Sequence, residues 1–146
     1  DGMDIYIGAE AISDYRPEAA PQKIKKHSDR LLLEMSKSPD LLATIAALPK
    51  PPFTVGFAAE TERLEEYARQ KLEGKRLDMI VPNLVGARLG FDEDDNSAMV
   101  LWRNGSEELS RMSKLELARQ IIRIVAARYT ASQAGSVTPL RRPAGN

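Results

Sequence analysis

Several residue types that common catalytic and metal sites require are scarce or missing in this sequence. There is no cysteine, which excludes disulfides, thiolate metal sites and a cysteine nucleophile. His27 is the single histidine, so a histidine-based triad or a multi-histidine metal site is disfavoured. Basic and acidic residues number 21 each, so the neutral chain has no overall charge that would attract nucleic acid or an anionic membrane.

Longer signals are missing as well. No apolar run approaches the roughly 20 residues of a membrane span, and no basic-then-apolar leader opens the chain, so we expect a cytoplasmic protein without a membrane partner. Neither the Walker pattern nor Gly-x-Gly-x-x-Gly occurs, so a glycine-rich nucleotide loop would have to lie upstream of Asp1 or on a partner chain. The chain starts at Asp1 rather than at methionine, and we expect it to be an inner part of a longer protein.

The first half alternates short apolar strands with helices. Strands are predicted at 4–9, 30–35, 53–58 and 78–81, and residues 14–26 are predicted to form a loop. The first helix is predicted to be capped by Ser38, with Pro39 and Asp40 in its first turn. The second is predicted to be capped by Thr61 and to end near Arg76.

The second half predicts a hairpin and a long helix. Residues 98–102 and 108–112 are predicted to pair around the turn dipeptide Asn104-Gly105, and the capping box 113–116 begins a helix to about Tyr129. From about Ala131 the residues predict a disordered tail. The fold class is therefore α/β, a Rossmann-like three-layer sandwich with a mostly parallel sheet and an appended antiparallel hairpin, over residues 1–130.

Ligands of such sheets bind at the carboxyl ends of strands, and two groups of cations follow these ends. Asp14 and Lys23–Lys26 after the first strand suit a phosphate or, equally, a solvated basic loop. Lys71 and Lys75 share one helix face and suit a polyphosphate, or ion pairs with glutamates at a solvent-exposed surface. Charge and spacing alone favour the solvated alternative in both cases.

The order of several segments resembles one family. It is similar to the phosphopantothenate–cysteine ligase (phosphopantothenoylcysteine synthetase) domain of the bacterial bifunctional coenzyme A biosynthesis protein. The matching segments are 8–17, 23–26, 38–42, 56–61, 67–71 with Lys75, 78–83 and 90–92 leading to Asn96. The resemblance implies the carboxyl-terminal part of that domain, without its amino-terminal nucleotide loop. FMN belongs to the decarboxylase half of that protein, which nothing here resembles.

The resemblance also implies a reaction. In that family the carboxylate of 4'-phosphopantothenate attacks the α-phosphate of CTP, with magnesium, and leaves an acyl-cytidylate and pyrophosphate. The amine of L-cysteine then displaces CMP to form an amide. The implied partners are these three substrates and a second copy of the chain in a homodimer, with no nucleic acid and no membrane.

The same resemblance implies roles for individual residues. Lys23 matches the catalytic lysine, with a mobile flap after it at 25–30, and no position matches a metal ligand. Part of the nucleotide pocket is expected from backbone groups and the helix start at Pro39. Ala11 and Asn83 match substrate-binding positions. The nucleotide-binding positions are Gly8, Ala9, Glu10, Asp14, Lys23, Pro39, Asp40, Leu41, Leu42, Phe57, Lys71 and Lys75.

Two alternatives stay open at this point. The chain is either part of an active ligase or a non-catalytic nucleotide-binding or dimerisation fragment of one, inactive alone, which the missing glycine-rich opening favours. A different Rossmann-like enzyme that uses nicotinamide or flavin is the third possibility, against which the lack of a dinucleotide fingerprint counts.

Overall fold

The computed structural model describes residues 2–9, 12–19, 22, 32–60, 62–84 and 95–135. Within these ranges a five-stranded sheet has the order β1-β4-β5-β6-β7, in which β1, β4 and β5 run parallel and the β6–β7 hairpin is antiparallel. A separate antiparallel pair is formed by β2 and β3. The elements are β1 Ile5–Gly8, β2 Tyr15–Pro17, β3 Met35–Lys37, α1 Leu41–Ala46, β4 Phe53–Glu60, α2 Leu64–Gly74, β5 Met79–Leu84, β6 Asp95–Trp102, β7 Gly105–Ser113 and α3 Lys114–Gly135.

The sheet is covered on both faces by helices. Successive side chains of a strand point to opposite sides, so each strand contributes to two separate core clusters. In β5, Met79 and Val81 face the cluster that contains α3, whereas Ile80 faces the cluster that contains α2. The α3 layer contributes Leu117, Ile121, Ile124 and Val125, and the opposite layer contributes Ala46 of α1 with Ala68 and Leu72 of α2. The predicted α/β three-layer sandwich with its appended hairpin is confirmed.

Two glycines bring α1 close to the sheet. Gly8 of β1 and Gly56 of β4 are register partners on neighbouring strands. A Cβ on Gly56 would lie 2.8 Å from Leu42 Cδ2 and 2.9 Å from Leu77 Cδ1, and a Cβ on Gly8 would lie 3.4 Å from Leu42 Cδ1. Leu42 therefore packs directly over backbone, and the start of α1 lies beside the end of β1.

The predicted strand at 30–35 is wrong at the described residues 32–34, and the predicted loop at 14–26 is interrupted by a strand at Tyr15–Pro17. Residues 20–21, 23–26 and 30–31 of these two predictions lie outside the described residues. The strand in this region is β3 at Met35–Lys37, and its partner β2 at Tyr15–Pro17 lies inside the predicted loop. Leu32, Leu33 and Met35 are 98%, 52% and 49% exposed, so these apolar residues of the predicted strand are not in the core. Strands of three residues carry too little periodicity to be recognised, and their pairing is decided by tertiary contacts.

Both predicted helix caps of the first half are also wrong. Asp40 is the N-cap of α1: its Oδ1 accepts a hydrogen bond of 3.0 Å from the Ala43 N–H. The Ser38 N–H instead donates to the Asp14 carbonyl over 2.8 Å, which holds Ser38 outside the helix. The N-cap of α2 is Arg63, in the left-handed region at φ 46° and without a side-chain cap, rather than Thr61.

The hairpin and the last helix are confirmed, with shifted boundaries. Arg103 and Asn104 form the turn, and Gly105 is already the first residue of β7, opposite Trp102. Ser113 Oγ accepts from the Glu116 N–H over 3.3 Å, which is one of the two hydrogen bonds of a capping box. The helix α3 continues to Gly135, so residues 131–135 of the predicted tail are helical, and the rest of that tail lies outside the described residues.

The glycine contact predicts opposite effects for two matched substitutions. Gly56→Ala places a methyl group within 3.0 Å of two leucine side chains and should lower the free energy of unfolding by about 1–3 kcal/mol. Gly74→Ala, at the end of α2 with nothing within 4 Å of the added methyl, should cause no loss and a gain of up to about 1 kcal/mol. Urea unfolding measures both, and equal stabilities of the two variants would contradict the packing described here.

Candidate functional site

The carboxyl end of β1 and the second half of β4 border a cavity of about 830 Å³. Its walls come from four separate parts of the chain: β1 and the segment after it, the β3–α1 junction, β4, and the end of α2. The lining residues are Tyr6, Ile7, Gly8, Ala9, Ile12, Ser13, Asp14, Tyr15, Lys37, Ser38, Pro39, Asp40, Leu41, Leu42, Phe57 and Lys75. The cavity therefore lies where open α/β sheets bind their ligands.

Short-range hydrogen bonds hold the junction before α1 in place. The Ser38 N–H donates to the Asp14 carbonyl over 2.8 Å, which ties the segment after β1 to the segment before α1. Ser13 Oγ donates to the Tyr15 carbonyl over 2.7 Å. On the other side, Thr44 Oγ1 donates to the Asp40 carbonyl over 2.7 Å. Asp14 and Asp40 are thus presented to one cavity from two segments whose backbones are joined.

An ion pair joins α1 to α2 at the cavity wall. Lys75 Nζ lies 2.8 Å from Asp40 Oδ2, while Asp40 Oδ1 caps α1. Partial burial by itself raises the pKa of Asp40, but the hydrogen bonds from Lys75 and Ala43, together with the charges of Lys75 and Lys37, outweigh it and hold this pKa below its ordinary value. Both side chains remain more than a third exposed to solvent, so the ion pair contributes only modestly to stability.

The cavity lining combines balanced charge with apolar surface. Its charged side chains among the described residues are two lysines, Lys37 and Lys75, and two carboxylates, Asp14 and Asp40. Apolar surface is contributed by Ile7, Leu41 and Phe57, which stay 37%, 44% and 40% exposed. Such a lining suits a ligand that has an anionic end and a flat or apolar part.

Most of the predicted nucleotide positions come together here. The structure places Gly8, Ala9, Asp14, Pro39, Asp40, Leu41, Leu42, Phe57 and Lys75 around the one cavity. Lys71 lies one turn before Lys75 on α2, and Asn83 lies near the end of β5 in register with Ala59; neither lines the cavity. Glu10, Ala11, Lys23 and the flap at 25–30 lie outside the described residues. The roles of all these residues stay predictions.

The helix start at Pro39 is partly occupied by the chain's own cap. The N-terminus of α1 was expected to offer its backbone N–H groups to the nucleotide. The helix has only six residues, and the Asp40 carboxylate already accepts the Ala43 N–H. This carboxylate occupies one of the donors that an anionic ligand could use, and the role of the helix start in nucleotide binding stays a prediction.

The prediction from the sequence did not include several residues that line the cavity. Tyr6 shares a face with Gly8 by the two-residue period of strands, so this period would have found it. Lys37 and Tyr15 reach the cavity because β2 pairs with β3, with Tyr15 opposite Lys37. No local sequence pattern predicts the pairing of β2 with β3.

Metal-binding clusters and membrane-spanning helices can be assessed within the described ranges. No group of three or more His, Cys, Asp or Glu side chains there could hold a metal ion. Likewise, none of the helices seen in those ranges is both long and apolar enough to cross a membrane.

Comparison with known protein families identifies the family of this chain. The model of a family described as DNA/pantothenate metabolism flavoprotein C-terminal domain matches residues 1–129. The chain belongs to this family. The coenzyme A biosynthesis bifunctional protein CoaBC of Haemophilus influenzae is 44% identical over 127 residues, which are 86% of this chain and 32% of that protein. CoaBC of Vibrio cholerae is 47% identical over 126 residues, which are 83% of this chain and 32% of that protein.

Solved structures of the family show the same fold. The C-terminal domain of CoaBC superimposes with a TM-score of 0.66 at 28% identity and covers 89% of this chain, which matches 56% of that domain. A DNA/pantothenate metabolism flavoprotein from Streptococcus pneumoniae has a TM-score of 0.63 at 20% identity, over 86% of this chain and 61% of that one, and shows the fold alone. The resemblance to the carboxyl-terminal part of CoaBC is confirmed, and the chain spans about a third of the length of the curated relatives.

The ion pair predicts a pH-dependent stability. Because the pKa of Asp40 is lowered by folding, its charge adds stability above its ordinary pKa of 3.8, and this contribution is lost as the pH falls through the lower folded value. Asp40→Asn keeps the cap and should cost less than about 1 kcal/mol at pH 7. Asp40→Ala loses the cap as well, which costs about 1 kcal/mol more.

Urea unfolding between pH 3 and pH 7 measures these differences. The wild type and Asp40→Asn should converge in stability at the acid end, whereas Asp40→Ala should stay less stable than Asp40→Asn at every pH. A gap between wild type and Asp40→Asn that does not change with pH would show that the Lys75 pair adds nothing to stability.

Proposed function

We propose that this chain is the carboxyl-terminal part of a CTP-dependent phosphopantothenate–cysteine ligase of coenzyme A biosynthesis. The reaction joins 4'-phosphopantothenate to L-cysteine through an acyl-cytidylate. One observation carries the proposal: of the described residues expected to bind nucleotide, all except Lys71 line a single cavity. Membership of the family and relatives named as bifunctional proteins of coenzyme A biosynthesis support the same pathway.

The lining residues suit the demands of this chemistry. The Lys75 ammonium can donate up to three hydrogen bonds and offers a positive charge to a triphosphate. The Asp14 carboxylate accepts hydrogen bonds and suits the hydroxyl groups of a ribose. The half-exposed ring of Phe57 offers an apolar face to the flat part of the ligand. We expect Lys23 to stabilise the charge that develops at the acyl-phosphate.

Magnesium enters this proposal as part of the substrate. No group of carboxylate or histidine side chains in the described part of the chain is arranged to hold a metal ion. We expect the ion to enter bound to the triphosphate of CTP. A cytoplasmic homodimer, with Ala11 and Asn83 near phosphopantothenate, completes the proposal.

A second candidate is a chain that binds nucleotide, or dimerises, without catalysing the reaction alone. It is favoured by the lack of a glycine-rich phosphate motif in the sequence. Incubation of this chain with CTP, magnesium, 4'-phosphopantothenate and cysteine separates the two candidates. Amide formation by the chain alone would rule out the second.

The cavity predicts a charge-specific loss of nucleotide binding. Lys75→Gln removes a charge-assisted hydrogen bond to the triphosphate and should weaken CTP binding about tenfold or more, as measured by isothermal titration calorimetry with magnesium. Lys50→Gln, an exposed lysine in the turn before β4, makes the same charge change away from the cavity and should leave the affinity unchanged. Equal affinities of the two variants, or no heat from wild type at millimolar CTP, would refute the proposed site.

A further inference from the structure

Asp40 has two partners that belong to different parts of the structure. Its Oδ1 accepts the Ala43 N–H over 3.0 Å and caps α1, and its Oδ2 lies 2.8 Å from Lys75 Nζ at the end of α2. The same carboxylate lines the cavity together with Lys75. The lysine that the proposed function assigns to the triphosphate is therefore already paired with a carboxylate of the cavity wall.

The charges around this ion pair determine how strongly the cavity attracts an anionic ligand. The cavity lining has two lysines and two carboxylates among its described residues, so its formal charge is zero. An anion that enters gains attraction from Lys75 and Lys37 but meets repulsion from Asp40 at the same place. Each further negative charge on the ligand adds to both terms, so a neutral lining discriminates little by ligand charge.

We propose that Asp40 is a specificity-determining residue that competes with the phosphates of the ligand for Lys75 and thereby limits the affinity gained with each added phosphate. The inference rests on the proposed function, because it takes the ligand to be the polyphosphate of a nucleotide. An anion must share or replace the Asp40 carboxylate at the Lys75 ammonium. The three N–H donors of that ammonium allow it to turn from one partner to the other without leaving the cavity.

The chain offers substitutions that isolate the charge from the cap. Asp40→Asn keeps a side-chain oxygen for the Ala43 N–H, and asparagine is as good an N-cap as aspartate, so α1 should stay in place. Asp40→Ser is a second neutral N-cap and protects the test against a folding defect of the first variant. Glu107→Gln, exposed on β7, changes the net charge by the same amount at the other end of the sheet.

The experiment titrates inorganic phosphate, inorganic tripolyphosphate and magnesium-bound CTP into each variant by calorimetry, with circular dichroism to check the fold. Asp40→Asn and Asp40→Ser should bind tripolyphosphate about fivefold to tenfold more tightly than wild type, but phosphate only about twofold more tightly. Glu107→Gln should match wild type. In a Lys75→Gln background, the gain from Asp40→Asn should fall below about twofold, because the competition acts through that lysine.

The results separate this inference from the proposed function. Equal or weaker tripolyphosphate binding by both Asp40 variants would overturn the inference, as would an equal gain for both anions or a gain that survives Lys75→Gln. If wild type still binds CTP in those cases, the proposed function stands without the inference. If neither CTP nor tripolyphosphate binds to any of the proteins, both are overturned.

Discussion

The packing of Leu42 over two adjacent backbone segments is the constraint on which the rest of the site depends. Gly8 and Gly56 are register partners on neighbouring parallel strands, and Leu42 packs against both: a Cβ on Gly56 would lie 2.8 Å from Leu42 Cδ2, and a Cβ on Gly8 would lie in van der Waals contact with Leu42 Cδ1 at 3.4 Å. This contact sets how closely α1 approaches the sheet. Because Asp40 immediately precedes α1, the same contact places the Asp40 carboxylate beside the ends of the strands, where the cavity opens.

The position of α1 then decides the electrostatics of the cavity. Asp40 caps the helix with one oxygen and holds Lys75 with the other, so the packing of α1 and the placement of a cation on α2 are coupled through one side chain. On the opposite side, the Ser38–Asp14 backbone hydrogen bond fixes the segment after β1 against the same helix. A small number of local contacts therefore forms a cavity beside the parallel strands, and its described lining contains two lysines and two carboxylates.

The sequence predicts those parts of the fold whose signals are local or repeated. The central strands, the hairpin and the helix cap at Ser113 are encoded by apolar runs, turn residues and a cap motif, and they are confirmed. The β2–β3 pair was missed because two three-residue strands are joined only by tertiary hydrogen bonds. The gathering of Asp14, Phe57 and Lys75 came from family resemblance, since charge and spacing alone favoured solvated lysines, and the Asp40–Lys75 pair has no sequence signal because the two residues meet only in the folded chain.

The central claim is that the cavity between β1, α1 and the end of α2 binds CTP. An NMR titration of the ¹⁵N-labelled chain with magnesium-bound CTP tests it most directly, since each backbone amide reports its own surroundings. The account predicts that the largest shifts occur at Gly8, Asp14, Asp40, Phe57 and Lys75, with little change in the β6–β7 hairpin. Shifts centred on the hairpin or on the outer face of α3, or no shifts at millimolar CTP, would contradict it.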